Sequence, residues 1–507
     1  MARFLRQTGI VFVLMLLARG SGFIRNLLLV NRLSVGAHSD AFFISIAAID
    51  FFILVSGLNA MKSVATTTFT QARRAPGEAN RYLSSLLYGL VGYGLVLGLP
   101  LFAFPDLFAR IFAPGFDPAA ARITALCLRI LAILVLGKGL LPILASLLGV
   151  QGRFAMQNMF MPLINCAAIG VILLSPLEGM LVRFSGVFAA CFMLSCAGSY
   201  FALSGPKLHL VAVPISTLKS YVSRFARLAY PLLFATAAYS VAGIADKMIA
   251  SFFQRGVVTS LGIAYSLCFM TVGVLLEPVS RVLFPHFSRL YFENAHERLA
   301  RDFENGQFIV TVLFVPVSLF LVFFSSDIIA AVLLARKIEP DHIEAAARML
   351  SIYGIALVFN ASLFLPSYLL QSAQKNSYVG KAALAAFGGN IICSIVFSLV
   401  WGYVGIPLGT VVGFGAYFLL LGAGLRRHLG IGLGAPFCIA AAVSGAASCA
   451  AVLIARAVTV PPAWLPGPAG HALPLATCAA RFAVYITAAG LPLMLIFGKR
   501  MRVIARL

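Results

Sequence analysis

The chain has 507 residues, 61% of them hydrophobic and 11% charged, with a mean hydropathy of +0.98, and this composition excludes an ordinary soluble domain. The formal charge of +22 does not point to nucleic acid, because most basic residues sit in short loops between apolar runs, as positive-inside topology requires. Nine scattered cysteines, with no CxxC and no histidine cluster, give no reason to expect a metal site, a cofactor or a disulfide framework.

A window of about 20 residues predicts about 14 membrane-spanning helices. They fall near 8–33, 39–70, 82–105, 122–149, 156–175, 183–204, 228–253, 258–286, 304–334, 346–371, 378–399, 403–424, 436–456 and 478–497. The N-terminus runs straight into the first span without a small-residue cleavage site, so no removable signal peptide is expected. That first span carries Arg19 and Arg25 beside Gly20 and Gly22. An arginine at the centre of a span costs roughly 2.5 to 3.5 kcal/mol on insertion scales, so such residues face a bundle interior or a watery cavity and mark a substrate path. Arg32 lies seven residues beyond Arg25 on the same face, where it would either join them or snorkel to an interface.

Charges recur further along. Asp40 opens the second span, where it would cap the helix or act in gating, and Asp50 and Lys62 share one side of that span. Lys138 in the fourth span and Lys247 in the seventh are further cationic candidates, whereas Glu277 and Arg281 form an i,i+4 pair of the structural kind. Gly402, Gly405, Gly409, Gly413 and Gly415 give the twelfth span a small-residue face for close helix packing. A Pro-rich stretch with Pro461, Pro462, Pro466 and Pro468 precedes the last span. Alternate loops carry about 21 Lys and Arg against about 7, which places both termini in the cytoplasm.

Two halves of the chain share a pattern. Gly22-Phe-Ile-Arg25-Asn26 reappears about 221 residues later as Gly243-Ile-Ala-Asp246-Lys247, and Ala119-Ala-Ala-Arg122 matches Ala345-Ala-Ala-Arg348. Six helices per repeat predict two lobes related by an axis along the membrane normal: 1–222, 223–430, and an appended helix pair in 431–507. The expected fold is therefore an all-α polytopic membrane protein. The repeat also suggests an Arg25–Asp246 pair across the cleft, broken by an anionic substrate.

These residues resemble a known family, the lipid II flippases (MurJ/MviN) of the multidrug/oligosaccharidyl-lipid/polysaccharide exporter superfamily. Arg19-Gly-Ser-Gly22-Phe23-Ile-Arg25 is similar to the family's Arg-x-x-Gly-Phe-x-Arg, and Asp40-Ala-Phe-Phe43 to its Asp-Ala-Phe-Phe. Ala113-Pro-Gly-Phe116, Leu144-Ala-Ser-Leu-Leu148, Arg153-Phe154, Ile249-Ala-Ser-Phe-Phe253 and Leu283-Phe-Pro285 extend the resemblance over nearly the whole chain. It implies a V-shaped pair of lobes, alternating access, a cationic cavity for a pyrophosphate, and a groove by the last two helices for the lipid tail.

The sequence departs from the family at two cavity cations: Ile53 stands where the second helix carries an arginine, and Ser266 replaces one in the eighth. A family glutamate falls at Leu58. Lys62, Lys138 and Lys247 would restore the positive field from other positions. The expected activity is translocation, without catalysis, of a polyprenyl pyrophosphate-linked saccharide, lipid II by default, by a monomer in the bacterial inner membrane. Arg19, Arg25, Lys62, Lys138 and Lys247 would bind substrate, and Gly22, Asp40, Asp50 and Asp246 would gate or support. The alternatives are an O-antigen or exopolysaccharide unit as cargo, or a drug exporter, for which the cavity carboxylates Asp50, Asp246 and Glu277 are too few. A membrane glycosyltransferase would need catalytic carboxylates on large outer loops.

Overall fold

The computed structural model describes residues 2–55, 77–203, 240–333, 339–432, 434–458 and 473–504, with parts of 65–72 and 209–223. Lys62, Leu58 and the proline stretch 461–468 lie outside the described residues, as do the side chains of Glu277 and Arg281. Helices account for all regular structure among the described residues. Ten stretches there are long and apolar enough to cross a membrane, or eleven if a bent pair is one span. Large side chains stand bare along them, Leu174 at 87%, Leu399 at 82% and Phe201 at 73% exposure, a surface that only lipid would solvate favourably. The protein is a multi-pass, all-α membrane protein.

By its internal contacts the chain divides into two compact units, Met1–Thr259 and Ser260–Leu507. The first holds α1 (Ala2–Leu33), α2 (Ala37–Val55), α3 (Glu78–Ala103), α4 (Pro105–Phe112), α5 (Pro118–Leu131), α6 (Leu134–Val150), α7 (Phe154–Leu174) and α8 (Met180–Leu203), plus a helical stretch at 240–250. Helix α1 packs on α7, α2 on α5, and α6 on α8. Phe42, Phe184, Phe188 and Phe192 fill the space between them, with Phe42 edge-on to Phe184 at 5.2 Å. The sequence reads one span over 122–149, but α5 and α6 meet at an angle of 42°. Val135 and Leu136 turn back in short bonds to Ala132 and Ile133, and Gly98 on α3 lets a neighbouring backbone approach this corner: a Cβ there would lie 3.1 Å from the Ala132 oxygen.

The second unit holds most of α9 (Val257–Phe292), then α10 (His296–Phe323), α11 (Ser325–Val332), α12 (Pro340–Ser362), α13 (Phe364–Ser372), α14 (Asn376–Trp401), α15 (Gly405–Leu429), α16 (Gly434–Arg456) and α17 (Leu473–Ile504). One 54-residue apolar run, 376–429, is folded as the antiparallel hairpin of α14 and α15, turned at Gly402 with φ of 64°. Both units carry a long helix, an eight-residue helix, and then a helix opened by proline after an acidic residue, at Asp117-Pro118 and Glu339-Pro340. Helices α16 and α17 pack on α10 through Phe308, Val312, Ala440 and Leu493. Arg481 on α17 is paired with Asp327 on α11, and the Tyr485 hydroxyl donates to the Pro316 carbonyl at 2.8 Å.

Candidate functional site: a charged cavity in the first unit

Helix α1 runs unbroken past both glycines and packs on α7, and its Arg25 reaches Asn165 on α7 and Phe188 on α8. The Arg25 Nη1 donates to Asn165 Oδ1 at 2.8 Å, while Nε and Nη2 both donate to Asn26 Oδ1, at 3.2 and 2.8 Å. Its guanidinium lies 4.7 Å from the centroid of the Phe188 ring, a cation–π distance. Asn165, on α7 and 1% exposed, in turn donates to the Ala18 carbonyl at 3.0 Å and the Ser21 hydroxyl at 3.1 Å. Gly22 supplies room for this amide, since a Cβ there would stand 3.3 Å from Asn165 Nδ2. The guanidinium thus bonds to Asn165 and Asn26 in place of the Asp246 carboxylate that the repeat suggested. The reason is local: a buried amide on the neighbouring helix reaches Arg25 directly. Arg19, half-buried on the same helix, lies between exposed and core positions. Arg32 is exposed and donates to the carbonyl of Ser175, where α7 ends, so it serves a helix C-terminus.

Asp50 on α2 accepts from the Lys138 ammonium of α6 at 2.7 Å. Both line a cavity of about 390 Å³ with Ile53, Leu54, Gln157 and Asn158. Ile53, which the resemblance sets where the family carries an arginine, faces the same space as Lys138. Asp50 is also the charged neighbour of Arg25, and Lys247 has Asp50, Lys138 and Asp246 as its charged neighbours. Arg25, Lys138 and Lys247 thus all lie within electrostatic reach of Asp50, and of these four only Lys138 and Asp50 line the cavity. Lys62 is outside the described residues, so its expected place beside Asp50 stands as a proposal.

Asp40 is elsewhere, at the end of the unit where the N-termini of α2, α5 and α9 meet. It is 1% exposed, and its carboxylate accepts from the Gly256 and Thr259 amides at 2.5 and 2.8 Å and from the Thr259 hydroxyl at 2.5 Å. An acidic residue from one helix thus caps the start of another, α9, where the helix dipole favours negative charge. Gly115 packs on the same loop: its amide donates to Ser251 Oγ at 3.2 Å, and a Cβ would fall 2.4 Å from Phe252 Cα. Asp117 caps α5 through the Ala120 amide and is also paired with Arg255. The Arg255 hydrogen bond, followed by that from Ala120, holds the Asp117 carboxyl below its ordinary range. These contacts explain why the first unit extends past residue 222 to Thr259.

Asn165, Asn26 and Phe188 escaped the sequence reading. The signal for Asn165 was a buried amide within the apolar 21-residue α7, a residue type that makes interhelical hydrogen bonds in membranes. Among the described residues no cluster of three or more His, Cys, Asp or Glu could hold a metal.

The sequence pattern of the family described as "Lipid II flippase MurJ" matches residues 29–468. A "Probable lipid II flippase MurJ" of Vibrio cholerae is 22% identical over 454 residues, 80% of each chain. One from Thermotoga maritima is 23% identical over 414 residues, covering 80% of this chain and 82% of that one. In fold, the chain is similar to a solved structure described as "Lipid II flippase MurJ, inward closed conformation", with a TM-score of 0.78 and 19% identity over 96% of this chain and 99% of that one. An inward-facing multidrug resistance MATE family transporter is also similar, with a TM-score of 0.70 and 14% identity over 80% and 94%. With its sequence matched from residue 29 to 468, this chain belongs to the lipid II flippase MurJ family.

Proposed function

We propose that this chain translocates a polyprenyl pyrophosphate-linked saccharide, lipid II, from the cytoplasmic to the outer leaflet of the bacterial inner membrane, acting as a monomer and without catalysing a covalent change. The observation that carries this reading is Arg25, a guanidinium held inside a membrane-spanning unit by Asn165, Asn26 and Phe188. The two asparagines fix the orientation of its planar fork, a group whose geometry suits phosphate oxygens. Lys138 and Lys247 add positive charge in the same region and stand in for the arginines absent at Ile53 and Ser266. Arg19 and Lys62 complete the proposed substrate-binding set.

In this mechanism the diphosphate enters the cavity from the cytoplasmic side while its polyprenyl tail stays in lipid beside the appended helices 431–507. Two six-helix lobes, 1–222 and 223–430, then expose it to either side in turn. Asp40, bonded to Gly256 and Thr259, serves in gating or support, as do Gly22, Asp50 and Asp246. Both termini face the cytoplasm, which follows from the basic loops. A second reading, another lipid-linked oligosaccharide such as an O-antigen unit, draws on Ile53, which faces the cavity in place of an arginine.

The test is complementation. In bacteria depleted of their own lipid II flippase, expression of this chain is expected to restore growth and cell shape. Failure there, with rescue of a strain lacking its O-antigen flippase, would favour the second reading.

A further inference from the structure

The cavity described above contains a charge that works against its function. A site meant to attract a diphosphate holds a carboxylate, Asp50, within 2.7 Å of the Lys138 ammonium, with Arg25 and Lys247 as further charged neighbours. The pair is not sealed in packing: the Asp50 side chain is 43% exposed, the Lys138 side chain 20%, and both line the cavity. A purely structural ion pair would gain most by being dry and fully hydrogen-bonded. This one is open to the cavity.

We propose that Asp50 is a displaceable internal counterion, which neutralises Lys138 while the cavity is empty and is exchanged for a phosphate oxygen of the substrate when it binds. The proposal rests on the diphosphate-binding reading of the same site. Coulomb attraction between Lys138 and a diphosphate must then compete with the existing pair, so part of the binding energy is offset and the loaded state is not a trap. When substrate leaves, the carboxylate returns to the ammonium. A cavity lined by Lys138, with Arg25 and Lys247 within electrostatic reach but without Asp50, would keep its cargo too long, since a transporter must bind firmly enough to load and weakly enough to release.

The test measures inorganic pyrophosphate and lipid II binding to the full-length protein in nanodiscs, for wild type, Asp50→Asn, Lys138→Gln and the double variant. Removing the competing charge is expected to tighten pyrophosphate binding about fivefold in Asp50→Asn, the scale of a partly solvated ion pair. Lys138→Gln should weaken binding, and in that background Asp50→Asn should gain much less, because its target is gone. Asp50→Glu keeps the charge and should retain wild-type affinity, while melting curves in detergent confirm that each variant is folded. Unchanged or weaker pyrophosphate binding in folded Asp50→Asn, or an equal gain with and without Lys138, would overturn the counterion role and leave the lipid II reading intact. The predicted pyrophosphate pattern together with no lipid II binding by any variant would sink the lipid II reading and leave the counterion.

Discussion

Arg25 shows how a single charged side chain is held in place within a membrane-spanning unit. Three of its N–H groups are used by two amides, its face is stacked on Phe188, and the asparagine that holds it is itself fixed to the Ala18 carbonyl and the Ser21 hydroxyl. Asn165→Ala should therefore leave Arg25 held by Asn26 and Phe188 alone, with its Nη1 anchor lost. We expect initial translocation to slow about tenfold, as for other residues that orient a binding group, and an unchanged rate would show that the amide is dispensable. Arg25 itself was legible in the sequence because an arginine in an apolar span is conspicuous. Its partners were not, since nothing in the local sequence says which neighbouring helix an amide will meet. Asp50 and Lys138 illustrate the same limit: each stood out alone, while their pairing depends on how α2 and α6 pack. Asp117 carries a second residue-scale prediction. Its carboxyl titrates below the usual value because Arg255 and the Ala120 amide favour the charged form, so the stabilisation is present above the unfolded pKa and is lost as pH falls through the lower, folded one. The melting temperature of Asp117→Asn should fall short of wild type at pH 7, and the gap should close as pH drops below about 4. A gap independent of pH would remove Arg255 from the explanation.

At the scale of elements, the hairpin of α14 and α15 is the best-specified part of the sequence. Its glycines point at the partner helix: a Cβ on Gly405 would fall 2.2 Å from Phe397 C, and one on Gly409 would fall 2.2 Å from Ser394 Oγ and 2.6 Å from its backbone nitrogen. The Gly415 position, by contrast, is open. Gly409→Ala should thus force the helices apart and cost about 1–3 kcal/mol, read as a lower melting temperature in detergent, whereas Gly415→Ala should change little. Equal melting of the two variants would contradict this packing. The small-residue face was readable because spacing on one helix is a local property. The break between α5 and α6 was not, because no proline or glycine marks Ala132 and Ile133; the corner depends on α3 passing close to it. Asp40 lies between these cases. Its place at a helix start was legible, but the helix it caps begins at Val257, which only the folded chain brings near.

For the whole molecule, composition alone fixed the solvent, and the internal repeat pointed to two related halves. The family pattern and the fold then place the chain among the MurJ proteins. The resemblance sets Ile53 and Ser266 where the family carries arginines, so the positive charge of the proposed site must come from other residues. In the proposed site Lys138, which faces the same cavity as Ile53, and Lys247, which has Lys138 and Asp50 for charged neighbours, take that part. The most direct test reconstitutes the purified protein in liposomes and follows labelled lipid II from one leaflet to the other, for wild type and Arg25→Ala. The account predicts transport by wild type well above protein-free liposomes and a loss of at least about tenfold in the variant. Equal rates for the two proteins, or no lipid II movement by wild type, would contradict it.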